Sequence, residues 1–330
     1  MASDTDLTYS QLGVINNTSD GSWAQDNTLF LKVFSGEVLT AFEETNVMKD
    51  RHRVRVISHG KSAQFPVSWK ASARYHTPGT AILGNNQTER NERTINIDDL
   101  LIADEVIYDL DEMKNHYDVR SEISRQLGAA LARTYDKNTM QVVALAARAS
   151  GNTTSSPGGS EVTNASCKTD AEVLASCIFS SGQALDENDV PADGRHCLVK
   201  PAQYNMLAQS TKVINKDWDG SGSYSRGTVH MIDSIPLVKT NNLPTTDLSG
   251  TVVTGEHNTY YSNFSNIGAL VFHESAIGTV QLMGLVTQMT SSDFKVVYQG
   301  TLLVAKYALG HGILRPECAV EITNTATSGL

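Results

Sequence analysis

Residues 27–76 read NTLFLKVFSGEVLTAFEETNVMKDRHRVRVISHGKSAQFPVSWKASARYH, and two different periods meet in that stretch. Phe30, Val33, Phe34, Val38, Ala41 and Phe42 fall at i, i+3, i+4, i+8, i+11 and i+12, one apolar stripe of a short helix, with Asn27 or Thr28 available as its cap. A stripe of that kind needs a partner surface. From Phe65 the period drops to two: Phe65, Val67, Trp69, Ala71, Ala73 and Tyr75 share one face and Gln64, Ser68, Lys70, Ser72, Arg74 and His76 the other, which reads as one long strand. Thr77-Pro78-Gly79 supplies turn chemistry, and the mostly polar run from Gln87 to Ile97 reads as the returning leg of a hairpin. Two strands alone are marginal in water, so a hairpin carrying Trp69 and Tyr75 is expected to lie on another surface, that of a second subunit.

Downstream, between Glu112 and Ser150, the period returns to 3.6, with Ile123, Leu127, Leu131, Thr134, Val142 and Leu145 in line and Gly128 as the one interruption. Arg120 and Glu122 are expected on its polar face. Asp118 is positioned as the N-cap of this longest helix and Gly151 as its stop. Residues 151–168 read as a loop by composition, and Thr169-Asp170-Ala171-Glu172 as a capping box ahead of a second helix through Val173, Leu174, Cys177, Ile178 and Leu185. Arg195 to Lys200 reads as a buried strand, followed by Pro201 at the first position of a helix. Strand-like runs follow at Ile235–Lys239, Leu270–His273, Thr279–Met283 and Phe294–Tyr298, so the class is α+β, and no internal repeat is present.

The chain has 330 residues, more than one hydrophobic core usually organises, so at least two packed regions are expected. Charge is sparse, at 19% of residues, and net acidic, at -10. With a pI near 5.3 the chain lacks the clustered Lys and Arg that coat nucleic acid by neutralising phosphates. Charge is also uneven. Residues 1–50 carry eight acids and two bases, residues 51–93 eight bases and two acids, and residues 98–112 seven acids and no base. Blocks of opposite sign suit an arm and a hairpin that meet oppositely charged neighbours, although solvated faces would carry the same pattern. Residues 1–27 are polar and aperiodic and read as an arm. No signal peptide or membrane span is expected: the start lacks a basic then apolar leader, and the best apolar run, 267–286, is broken by His273 and Glu274.

Catalytic and metal motifs fail one by one. Asp217, Asp219, Ser221 and Gly222 match positions 1, 3, 5 and 6 of a calcium loop, but position 12 is Thr228 where a bidentate Glu is needed. His196 and Cys197 are adjacent, and neighbours on a strand point to opposite faces, so they cannot serve as base and nucleophile. Cys167, Cys177, Cys197 and Cys318 lie far apart without a CxxC and suit reduced thiols, with Cys197 in the core. His311, between Gly310 and Gly312, is expected in a turn set by backbone geometry. There is no HExxH, GxSxG or P-loop. No enzyme activity, cofactor or metal is expected.

Longer blocks carry a resemblance: LFLKVFSGEVLTAF, the RHRVRVISHGKSAQFPV run, NHYDVRSE at 115–122, IGALVFHESAIGTVQL at 267–282 and AKYALGHGILRPE at 305–317. The chain resembles the major capsid proteins of T7-like tailed phages; residues 1–26, 151–168 and 216–265 carry no such match. The resemblance implies the HK97-type capsid fold: an N-terminal arm over 1–58, an E-loop hairpin over 59–97, a peripheral domain over 98–169 with its spine helix about 116–150, an axial domain over 170–284 and a return through the peripheral domain over 285–330. It implies hexamers and pentamers of this chain in an icosahedral shell of triangulation number seven around packaged double-stranded DNA, which is enclosed without specific binding. A scaffolding protein and a portal are the implied partners, the virion the implied location after assembly in the host bacterial cytoplasm, and noncovalent contacts the implied source of stability. Phe30, Phe34, Arg51, Arg53, Arg55, Phe65, Val67, Trp69 and Tyr75 are the candidate inter-subunit contacts. A host-binding tail fibre or adhesin, suggested by Ser, Thr and Gly content, would be expected to show repeats or heptads. An encapsulin-like compartment would share the fold and carry cargo.

Overall fold

The computed structural model describes residues 37, 38, 40–42, 46–84, 88–114, 119–210, 231–290 and 298–325. The expected caps at Asn27, Thr28 and Asp118, the contact candidates Phe30 and Phe34, the calcium-like run and residues 294–297 lie outside that set. In chain order the elements are β1 (Arg53–Val56), β2 (Ser62–Ser68), β3 (Arg90–Asn96), β4 (Leu101–Tyr108), α1 (Asp109–Lys114), α2 (Val119–Arg148), β5 (Ser160–Thr163), α3 (Ala171–Glu187), β6 (Arg195–Val199), α4 (Pro201–Gln209), β7 (Met231–Ile232), β8 (Ile235–Lys239), β9 (Ile267–His273), β10 (Ile277–Met289), β11 (Gly300–Ile313) and β12 (Ala319–Thr323). Three sheets result, ordered β1-β10-β11-β4, β5-β12-β9-β6-β8-β7 and β2-β3. The chain divides into two units, one of Met1–Asn46, Leu101–Arg133 and Met283–Tyr307, the other of Val47–Leu100, Thr134–Leu282 and Ala308–Leu330.

In the smaller unit, β4 pairs antiparallel with β11 from Leu101↔Tyr307 to Tyr108↔Gly300. Helical residues 37, 38 and 40–42 bury Val38, Ala41 and Phe42 against the first half of α2, where Ile123, Leu127 and Leu131 are also buried. Gly128 is the crossing point. A Cβ there would lie 2.5 Å from the Val38 carbonyl oxygen and 3.0 Å from the Ala41 Cβ, so the apparent interruption of the helix is a close approach of backbones. On the same helix Glu122 is exposed and accepts from Gln126 at 2.9 Å, whereas Arg120 is half-buried rather than on a fully polar face.

In the larger unit, the second half of α2 is buried on every side from Met140 to Ala147, the mark of a central helix. The six-stranded sheet is built on β12, β9 and β6, whose side chains are almost all buried. Helix α3 buries Leu174, Cys177, Ile178, Ser181 and Leu185 in the period expected of one apolar face. Its cap is Asp170, which accepts from the Glu172 and Val173 amides, rather than Thr169; a carboxylate at the positive helix end outcompetes the hydroxyl one residue earlier. Pro201 opens α4 as expected.

Three further expectations are corrected. The long strand from Phe65 to His76 ends at Ser68, because β3 supplies partners only that far; the Trp69 amide still donates to the Glu89 carbonyl at 3.0 Å, and beyond it the chain is exposed without regular structure. The loop over 151–168 contains β5, a polar edge strand paired parallel with β12. His311 lies in strand β11, not in a turn. All four cysteines are free and buried, and burial pushes the Cys197 thiol up to about 12.

Candidate assembly surface

The hairpin of β2 and β3 pairs antiparallel from Ser62↔Asn96 to Ser68↔Arg90. Its inner face is held by the larger unit: Ala63 and Ile95 are buried, the Arg93 guanidinium donates to Asn152 Oδ1 at 2.6 Å, and Glu89 accepts from the Ser155 amide at 3.0 Å and hydroxyl at 2.8 Å. Those two Ser155 bonds hold the exposed Glu89 carboxyl below its usual range. Asn152 ties back through its own amide to the Leu314 carbonyl at 2.6 Å. The loop after α2 therefore serves as a bracket for the returning leg.

A second clamp sits at the hairpin's base. The Asn258 amide donates to the Asn96 carbonyl at 2.8 Å and its oxygen accepts from the Asn96 N–H at 3.2 Å, replacing a missing strand partner. Asp98 accepts from Asn258 Nδ2 at 2.9 Å, from the His257 N–H at 2.7 Å and from the Tyr260 hydroxyl. Burial nevertheless raises its pKa, because desolvation outweighs those three donors. Tyr260 in turn accepts from the His311 N–H at 3.0 Å. Behind it lies a buried polar chain: His311 Nδ1 is 2.8 Å from the Thr279 hydroxyl, Thr279 is 2.7 Å from His52 Nε2, and the Tyr135 hydroxyl is 3.0 Å from the same His52 nitrogen. Since His52 Nδ1 faces the Met48 carbonyl at 2.6 Å, that nitrogen carries the proton and Nε2 accepts. Burial lowers His52 to about 4 and His311 to about 3, so both are neutral at physiological pH.

The glycines flanking His311 follow from the same contact. A Cβ on Gly310 would lie 1.8 Å from the Asn96 oxygen, and one on Gly312 2.7 Å from Ile95, so β11 passes under the end of β3 with no room for a side chain. Gly310→Ala is expected to destabilise the subunit by about 1–3 kcal/mol and to loosen the hairpin base. Hydrogen exchange checks this: the amides of Arg93 to Ile97 should exchange faster in the variant, and unchanged protection there would show that the contact is dispensable.

The candidate contact residues divide by their surroundings. Tyr75 is fully exposed. Phe65, Val67 and Trp69 are half-buried in the lone subunit, which corrects the expectation of a bare row: the Arg55 guanidinium lies 5.4 Å from the Phe65 ring centroid and the Lys70 ammonium 5.2 Å from that of Trp69. Arg55 also donates to the Gln64 carbonyl at 2.9 Å, and half-buried Arg51 donates to the Val47 carbonyl, so both are committed within their own subunit. Arg53 is exposed on β1. Ile82 and Leu83, each 75% exposed, join Tyr75 on the outer segment and were missed because they lie outside any periodic run. The only signal for them is an apolar pair followed by Gly84 in an otherwise polar stretch.

A clamped hairpin, a 30-residue helix and a buried mixed sheet define the class: phage capsid shell proteins of the HK97 type. The fold is shared with the bacteriophage PhiM1 mature capsid, at TM-score 0.69 and 18% identity over 86% of this chain and 88% of that one. The capsid structure of cyanophage P-SCSP1u matches with TM-score 0.80 and 42% identity, covering 98% of this chain and 100% of that one. The chain belongs to the Gp10A-like major capsid protein family, whose model matches residues 64–323. It is 34% identical to the major capsid protein of Escherichia phage T7 over 88% of this chain and 90% of that protein. It is 32% identical to that of Enterobacteria phage T3 over 93% and 94% respectively. It is thus a structural, shell-forming subunit of a virion, and the tail-fibre alternative finds no support. Among the described residues no helix is long and apolar enough to cross a membrane.

Proposed function

We propose that the chain assembles as hexamers and pentamers into an icosahedral shell of triangulation number seven, with the hairpin of β2 and β3 acting as the E-loop that each subunit lays on its neighbour. The observation that carries this reading is the hairpin's division of labour: its base is bound to its own subunit by Asp98, Asn258 and Asn152, while its outer segment presents Tyr75, Ile82 and Leu83 to solvent. In this reading the arm covers 1–58, the E-loop 59–97, the peripheral domain 98–169 and 285–330, and the axial domain 170–284. Phe65, Val67 and Trp69 are covered further on assembly. Phe30 and Phe34 supply arm contacts, and Arg51, Arg53 and Arg55 form a basic block beside the hairpin. The net charge of -10 suits a wall that encloses double-stranded DNA without gripping it. A scaffolding protein and a portal complete assembly in the host cytoplasm.

Electron microscopy of the expressed full-length chain is expected to show closed shells, and cargo-free filaments or monomers would sink the reading. Trp69→Ala isolates the hairpin. It should leave subunit stability within about 1 kcal/mol of the parent, since the side chain is only half-buried, yet reduce shell yield. Unchanged yield and unchanged melting of the shells would remove the hairpin from the contact.

A further inference from the structure

Among the described residues, the sheet ordered β1-β10-β11-β4 ends on two open edges, and their charges are opposite. One edge is β1, Arg-Val-Arg-Val, with all four residues exposed; Val54 and Val56 stand 44% and 69% exposed. The other is β4, which exposes Ile102, Asp104, Glu105 and Tyr108. An open strand presents a row of unpaired peptide groups, and proteins ordinarily blunt it with charged side chains. Here the two edges are blunted with complementary charge. Arg53 and Arg55 share one face of β1 with valines on the other, and β4 alternates likewise, with Ile102, Asp104, Val106 and Tyr108 on one face and Leu101, Ala103, Glu105 and Ile107 on the other. A strand of the first kind laid beside the second sets an arginine against a carboxylate and a valine against an apolar neighbour.

We propose that β1 of one subunit docks on the β4 edge of the next, strand against strand. This rests on the shell reading and names what faces Arg53 in it. Two unlike surfaces on one chain that fit each other make a head-to-tail contact, and such contacts close into rings when the rotation allows, as hexamers and pentamers require. Two like edges would instead give an isologous pair. Arg53 is the exposed charge on which the docking rests, because Arg55 already holds the Gln64 carbonyl and covers Phe65. Asp104 and Glu105 thereby gain a use beyond solubility: they mark β4 as an acceptor for a basic strand and repel a second β4.

The test uses the full-length chain, whose four native cysteines are buried and give little background. Val54→Cys is combined in turn with Ile102→Cys, Asp104→Cys and Val106→Cys, and assembled material is oxidised and run on a denaturing gel without reductant. At least one pair is expected to give a ladder of covalent oligomers, because directly opposed strand residues meet disulfide geometry. Normal shells with no ladder from any pair overturn the docking and leave the shell reading standing. A ladder without closed shells upholds the docking and overturns the shell reading, and the absence of both overturns both. Charge reversal gives an independent measurement: Arg53→Glu and Glu105→Lys should each lower shell yield roughly tenfold, and the two together should restore most of it. Loss in both single variants without recovery in the pair counts against the contact.

Discussion

Arg148→Met is expected to cost the subunit about 3–5 kcal/mol, the penalty of leaving a buried carboxylate without its cation. Arg148 ends α2, and its guanidinium donates twice to Glu321, Nε to Oε2 and Nη2 to Oε1, both at 2.6 Å. The side chains are 3% and 0% exposed. Nη1 reaches the Asn263 carbonyl at 2.8 Å, and the guanidinium carbon lies 5.3 Å from the Phe264 ring centroid. Glu321 sits mid-strand in β12, so this fork joins the central helix to the six-stranded sheet one strand in from its β5 edge. Burial raises the Glu321 pKa and the Arg148 bonds only partly oppose it, so removing the arginine favours the protonated acid. The cost of Arg148→Met should therefore shrink as pH falls, and Arg148→Met with Glu321→Met should recover much of it, since an apolar pair has no charge to strand. Urea midpoints at two pH values check both statements. A single variant within about 1 kcal/mol of the parent at neutral pH would mean the pair is solvated in solution.

Acid is expected to act through the two buried imidazoles. In the unfolded chain His52 and His311 take up protons near 6.5, whereas in the folded subunit they resist until about 4 and about 3. Across that window the unfolded chain binds more protons, so this stabilising contribution is complete above pH 6.5 and is lost as pH falls. For His52 the full effect is on the order of 3 kcal/mol, and for His311 about 5. Asp98, Asp136 and Glu321 work in the opposite sense: burial raises their folded pKa, so each holds its proton first in the native state and favours folding as pH drops toward the unfolded carboxyl values. The histidine contribution is isolated by difference. The double variant His52→Gln and His311→Gln should show a flatter decline in stability between pH 7 and 5 than the parent, and nuclear magnetic resonance of the parent should show both rings neutral at pH 5. Equal slopes, or rings that titrate near 6.5, would contradict the buried assignment.

Much of this architecture is legible from periodicity. The stripe through Ile123, Leu127, Leu131, Val142 and Leu145 marks α2, and the alternation at Phe65 marks β2, because burial on one face leaves a local record in the chain. What lacks such a record is contact between distant segments. β5 is a strand only because β12 offers it an edge, and its Ser-Glu-Val-Thr composition carries no alternation of its own. The stretch after Ser68 has the right alternation, but the β3 ladder that would make it a strand ends at Arg90. Gly310 and Gly312 suggest a turn by type, whereas their cause is Asn96 and Ile95, more than two hundred residues earlier. The Arg148–Glu321 fork is likewise invisible from either residue's neighbours. The shell-forming identity came from long matching blocks, and the placement of contact residues needed the fold.

Mechanically, the hairpin is a cantilever. Its root is fixed at Asn96, Asp98 and the Asn152 bracket, its first span is stiffened by the β2–β3 ladder, and its outer span at 70–84 has few backbone hydrogen bonds among the described residues. Deflection of a beam grows with the cube of its free length, so nearly all bending falls in that outer span while the root keeps its bearing. In a lattice where one polypeptide must serve at several unequal angles, the unequal part of the strain is then carried by the tip, and the packed body of every copy can remain the same.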